Sequence, residues 1–150
     1  MKKREFGPRI AFLEVLVDED GFDAKLKAVK LVDDEGVKLL RGNEKTLLKK
    51  LMNVLRDVDL IVTWGGEKFD IPLLIVKVIR TGLDPTNLLE VFHFDVKRFF
   101  SDFFALNDVD WEKAAAFVGV KKGKGKAETV ARIFEKLKPV LRVVKPELAV

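Results

Sequence analysis

Residues 62–74 read VTWGGEKFDIPLL, a β-rich run that stops at paired glycines and restarts as a helix. Residues 59–64 (DLIVTW) carry the branched and aromatic side chains of a short strand. Gly65 and Gly66 break it, and residues 71–81 then place apolar side chains at helical spacing until Gly82, a favoured terminator. The unit is a strand, a loop and a helix, with Phe69 and Asp70 at the mouth of the helix.

Upstream, residues 9–17 (RIAFLEVLV) are apolar at nearly every position, which predicts a strand covered on both faces. Glu14 interrupts it. After a turn at 18–21, residues 22–32 set Lys25, Lys27 and Lys30 among apolar neighbours, as in a strand with one wetter face, and a second turn at 33–36 leads into a third antiparallel strand at 37–40. Asn43 then caps an amphipathic helix carrying Leu47, Leu48, Leu51, Met52, Leu55 and Val58. Downstream, residues 91–96 predict a fifth strand, 97–105 a phenylalanine-rich helix and 110–118 another. A lysine loop at 121–126 precedes a last amphipathic helix over 127–137, whose periodicity stops near Pro139. This order predicts an α/β fold: three antiparallel strands and two further strands in one mixed sheet, with helices on both faces.

At 150 residues, with 48% hydrophobic and 35% charged side chains, the chain suits one domain with a packed core under a charged surface. The absence of cysteine excludes disulfides, thiolate zinc sites and cysteine nucleophiles. No apolar run is long enough to cross a bilayer and no signal-peptide core opens the chain, so a cytoplasmic protein is expected. Abundant Lys and Glu with few Met suit a thermophile. A net charge of +4 and a pI near 9.2 lean toward an anionic partner without specifying one.

Residues 62–74 resemble the second sequence motif of the DEDD family of 3′–5′ exonucleases, which includes the proofreading domains of family-B DNA polymerases. The family's Phe-Asp pair is matched by Phe69-Asp70, and Gly65 stands in the slot of an asparagine. The similarity runs on in order, through an acidic strand before the motif and His93-Phe94-Asp95 and a final helix after it. What the resemblance implies is a ribonuclease-H-like fold and a single exonuclease domain over 1–150. It further implies clustered carboxylates holding Mg²⁺ or Mn²⁺, one ion activating water and another stabilising the departing 3′ oxygen.

Carried over position by position, the set is incomplete. Paired acids on the first strand must lie two residues apart to share a face, yet the slots around Glu14 hold Phe12 and Leu16. Asp18 and Asp20 follow on the turn, where they either bend inward or sit in solvent. Asp70 fits the second motif, and its alternative reading is a helix N-cap ahead of Pro72. In the last motif Lys126 takes the Asp slot and Lys122 the Tyr slot, in a chain without tyrosine. The implied metal ligands are thus Glu14 and Asp70, with Lys126 stabilising charge where a second ion normally sits and Glu128 as the fallback acid. His93 fits a core or strand-end histidine better than a catalytic one.

For nucleic acid, Lys121, Lys122, Lys124 and Lys126 interleave with Gly123 and Gly125, either a strip that moulds along phosphates or a flexible solvated loop. Trp64, Lys68 and Phe69 flank the site, the aromatics either stacking bases of a single strand or packing inward. Phe99, Phe100, Phe103 and Phe104 share one side of a helix, which serves the core or a homo-oligomer interface. The leading expectation is a metal-dependent 3′–5′ exonuclease on single-stranded DNA. Its rival is a catalytically inactive exonuclease-fold protein acting as a single-strand-binding or polymerase-associated module, and a third option is a structural subunit docking through its phenylalanines.

Overall fold

The computed structural model describes residues 8–18 and 23–150. Five strands, β1 (Ile10–Val17), β2 (Leu26–Asp33), β3 (Gly36–Leu40), β4 (Leu60–Thr63) and β5 (Phe92–Asp95), form one mixed sheet in the order β3-β2-β1-β4-β5. β1 pairs antiparallel with β2 and parallel with β4, and β4 pairs parallel with β5. This is the ribonuclease-H-like arrangement, and it puts β1 at the centre between β2 and β4. All four residues of β4 are buried, as a run apolar on both faces requires.

Helices α1 (Glu44–Leu55) and α2 (Asp70–Thr81) cover one face of the sheet, where Ala11, Leu13, Val29 and Ile61 meet Leu47, Leu51, Leu74 and Val78. The other face carries α4 (Val96–Phe104), α5 (Trp111–Val118) and α6 (Lys126–Val144) over Phe12, Leu60, Val62 and Phe94. Asn43 caps α1 through its side chain, which accepts from the Thr46 N–H at 2.9 Å, and Gly82 ends α2 at φ +73°.

Two elements depart from the periodicity. A short helix, α3 (Thr86–Glu90), fills the link between α2 and β5, for which the periodicity makes no assignment. Helix α6 continues through Pro139 to Val144 rather than stopping near it. Pro139 has no N–H for the carbonyl one turn back, but Leu137 and Leu141 are both buried on either side of it, and their packing holds the helix together. Among the described residues no helix is long and apolar enough to cross a membrane.

Candidate functional site

The carboxyl ends of β4 and β5 are tied together by Asp95. Its Oδ1 accepts from the Gly65 N–H at 2.7 Å and the Lys97 N–H at 3.0 Å, and its Oδ2 from the Glu67 N–H at 3.2 Å, so one buried carboxylate caps α4 and fixes the 65–67 turn. Gly65 sits at φ +77°, the left-handed region that glycine and asparagine share, which accounts for glycine in the asparagine slot. At Gly66 any Cβ would lie 2.5 Å from the Thr63 hydroxyl, which accepts from the Gly66 N–H at 3.1 Å and meets His93 Nε2 at 2.6 Å. His93 is therefore a strand histidine bonded to its neighbour, its pKa lowered by burial despite the Asp95 and Glu67 charges.

This turn delivers Asp70 as the first residue of α2. Phe69 occupies the cap position, and Asp70 makes no capping hydrogen bond. Asp70 is 5% exposed, and its Oδ2 is buried without a hydrogen-bond partner. Burial pushes its carboxyl up to about 6 against the pull of the Lys126 ammonium, with the Glu14 and Asp95 charges adding to the rise. Glu14, Asp70, Asp95 and Lys126 are thus electrostatic neighbours at one end of the sheet.

Glu14 extends from β1 toward the same end of the sheet. Its Oε1 accepts from the Ala127 N–H at 3.2 Å, capping α6, whose own cap residue Gly125 has no side chain to do so. Lys30, opposite Glu14 on β2, pairs with Glu128 Oε1 at 2.7 Å. A Cβ at Gly125 would lie 2.8 Å from Lys30 Nζ, so the tips of this pair pack close over the backbone there. Lys126 opens α6, and its charge acts on Asp70 without a direct ion pair between them among the described residues.

These residues do not fit a two-ion centre. Among the described residues no group of three or more Asp, Glu or His converges as metal ligands. One Glu14 oxygen serves the α6 N-terminus, Glu128 is taken by Lys30, and the slot for a further acid holds an ammonium. Phe12, in one slot beside Glu14, packs edge-on against Phe134, while Leu16 fills the other at the partly exposed end of β1. Asp18 turns outward to Lys27 at 3.4 Å, and Asp20 lies outside the described residues.

Other expectations are corrected. Trp64 is 6% exposed and packs edge-on against Phe100, so its ring is core and unavailable to a base. Phe69 is half-buried and Lys68 exposed. The lysine loop is pinned rather than flexible: Thr129 accepts from the Gly123 N–H and donates to the Gly125 carbonyl, and Arg132 donates to the carbonyls of Lys121 and Lys122. Its Lys121, Lys122 and Lys124 are exposed, with Lys122 held by Glu112 at 2.9 Å. Phe99 and Phe100 are buried in the core, so of the four-phenylalanine face Phe103 alone is largely exposed. The Asp95 clasp and the Lys30–Glu128 pair were missed. The antiparallel register placing Lys30 across from Glu14 was the available signal for the latter.

No family model matches the chain. Over 81 residues, 53% of this chain, it is 32% identical to DNA polymerase 1 of Pyrococcus abyssi and 31% identical to a DNA polymerase of Pyrococcus horikoshii. A DNA polymerase of Methanocaldococcus jannaschii is 33% identical over 67 residues, 45% of this chain. The family B DNA polymerase from the hyperthermophilic archaeon Pyrobaculum calidifontis superposes on 89% of this chain with a TM-score of 0.68 at 15% identity. The chain is thus similar to a segment of archaeal DNA polymerases. The sequence matches span 10%, 6% and 4% of the three relatives' own lengths, and the superposition covers 25% of the solved polymerase.

Proposed function

We propose that this chain is a polymerase-associated module of exonuclease fold that holds single-stranded DNA at the crevice around Asp70 without hydrolysing it. The observation that carries the reading is Lys126, an ammonium beside the two carboxylates where hydrolysis by paired ions needs another acid. The likeness to archaeal DNA polymerases supports a DNA-related role. Lys126 and the N-terminus of α6 give the crevice a cationic wall, and exposed Lys68, Lys121 and Lys124 extend positive charge around it. Phosphate contacts from such lysines bind without reading sequence.

The hydrolytic reading has one observation in its favour, the unpartnered buried oxygen of Asp70, which is free to meet a cation. The test is to incubate the purified chain and an Asp70→Asn variant with 5′-labelled single-stranded oligonucleotide in Mg²⁺ and in Mn²⁺. The expected result is an intact oligonucleotide in every lane. Shortening from the 3′ end by the wild type and not by the variant overturns the proposal and restores a metal-dependent exonuclease.

A further inference from the structure

The crevice couples a carboxylate oxygen without a partner to a cation supplied by the chain itself. Asp70 Oδ2 is buried and unbonded, the Glu14 carboxylate is fixed 3.2 Å from the Ala127 N–H, and Lys126, the residue before Ala127, carries its charge into the same space. A divalent ion entering between Asp70 and Glu14 meets the Lys126 ammonium and the N-terminal end of α6, both of which repel it. The other nearby acids offer no relief, since Glu128 is held by Lys30 and the Asp95 carboxylate already accepts from the Gly65, Glu67 and Lys97 N–H groups.

We propose that Lys126 is a built-in counter-cation that closes the Glu14–Asp70 crevice to divalent metal, so that replacing this one residue with an acid opens a Mn²⁺ site. The proposal rests on the non-hydrolytic reading above and assigns the reason for it to a single side chain. Hard oxygen donors from Glu14, Asp70 and an introduced carboxylate suit Mn²⁺ or Mg²⁺. An acid in the first turn of α6 also suits the helix dipole, so Lys126→Asp is expected to fold.

The experiment is a Mn²⁺ titration of the full chain, read by the loss of the free-ion paramagnetic resonance signal, for wild type, Lys126→Asp, Lys126→Gln and Lys126→Asp combined with Asp70→Asn. Lys126→Asp is expected to bind Mn²⁺ at least about tenfold more tightly than wild type, and the added Asp70→Asn to abolish the gain. Lys126→Gln, which removes the charge without adding a ligand, is expected to fall between. A wild type that binds Mn²⁺ as tightly as Lys126→Asp overturns the inference, as does a folded Lys126→Asp that ignores the ion. If circular dichroism shows Lys126→Asp unfolded, Lys126→Gln decides: an affinity equal to wild type overturns the inference. Single-strand binding in EDTA, measured on the same wild-type sample, separates the two proposals. Its loss defeats the functional reading and leaves the metal result standing.

Discussion

Asp70 has the most consequential environment of any side chain in the molecule. Its carboxyl is raised from 3.8 to about 6 by burial, so the folded chain binds a proton there that the unfolded chain has released. For an acid raised in this way, stability falls as pH rises from roughly 4 to 6 and is level above. Asp70→Asn removes the ionisation and is expected to be more stable than wild type at pH 8, by up to roughly 3 kcal/mol, with the gain fading as pH falls from about 6 to about 4. Urea unfolding at pH 4 and pH 8 measures this, and a difference that does not change with pH contradicts the assignment. Asp70 was legible in the sequence because residues 62–74 resemble the second exonuclease motif, in which Phe69-Asp70 fills the family's Phe-Asp pair. That it does not cap its helix was not legible, since a cap and a first-turn acid differ by one residue of backbone geometry. Lys126 was legible as a substituted position, but its placement beside Asp70 depends on how α6 docks against β1, which local sequence does not encode.

At the scale of elements, the strand, turn and helix from β4 to α2 are one mechanical piece. Thr63, Gly66 and Asp95 lock it: the threonine hydroxyl holds the second glycine and the aspartate holds the first. Gly66→Ala forces a methyl to 2.5 Å from Thr63 and is expected to cost about 1–3 kcal/mol, the range of overpacked sites. Gly65→Asn, in the left-handed region at φ +77°, is expected to cost far less than Gly65→Val. Thermal unfolding of the three variants ranks them, and a Gly66→Ala as stable as wild type contradicts the locked turn. Strand order and most helices were legible from periodicity here, because β1 and β4 are apolar on both faces and α1 on one. The failures have physical causes. Pro139 reads locally as a stop, but buried Leu137 and Leu141 carry α6 past it, and Trp64 reads as a surface platform only until Phe100 is found against it. A helix whose packing outweighs a missing hydrogen bond is invisible to a rule about prolines.

For the whole molecule, the distribution of charge matters more than its sum. Lys121 and Lys124 are exposed and form no direct ion pair among the described residues, whereas Lys122 is held by Glu112. Alanine at Lys121 or at Lys124 is expected to reduce the salt dependence of single-strand binding by about 0.7 in log–log slope for each phosphate no longer neutralised, and alanine at Lys122 by less. Equal slopes for all variants and wild type place the loop outside the DNA path. Self-association is a separate matter. With Phe99 and Phe100 in the core, it falls to Phe92, Phe103 and Phe117, at 70%, 48% and 56% exposure, and sedimentation of wild type beside Phe103→Ser measures it. A monomer mass for both removes the phenylalanine interface. Composition alone pointed to an anionic partner, but it could not show which lysines are free, because pairs such as Lys122 with Glu112 form only once α5 and the loop before α6 meet.

Residue, turn and charge distribution meet in one proposal, that the crevice uses its own lysine in place of a metal. Fluorescence anisotropy of a 3′-labelled single-stranded oligonucleotide, titrated with the full chain first in EDTA and then in Mn²⁺, tests it directly. The expected result is the same affinity in both and an intact oligonucleotide afterwards. Binding that appears only with Mn²⁺, or a label released as the titration proceeds, contradicts it.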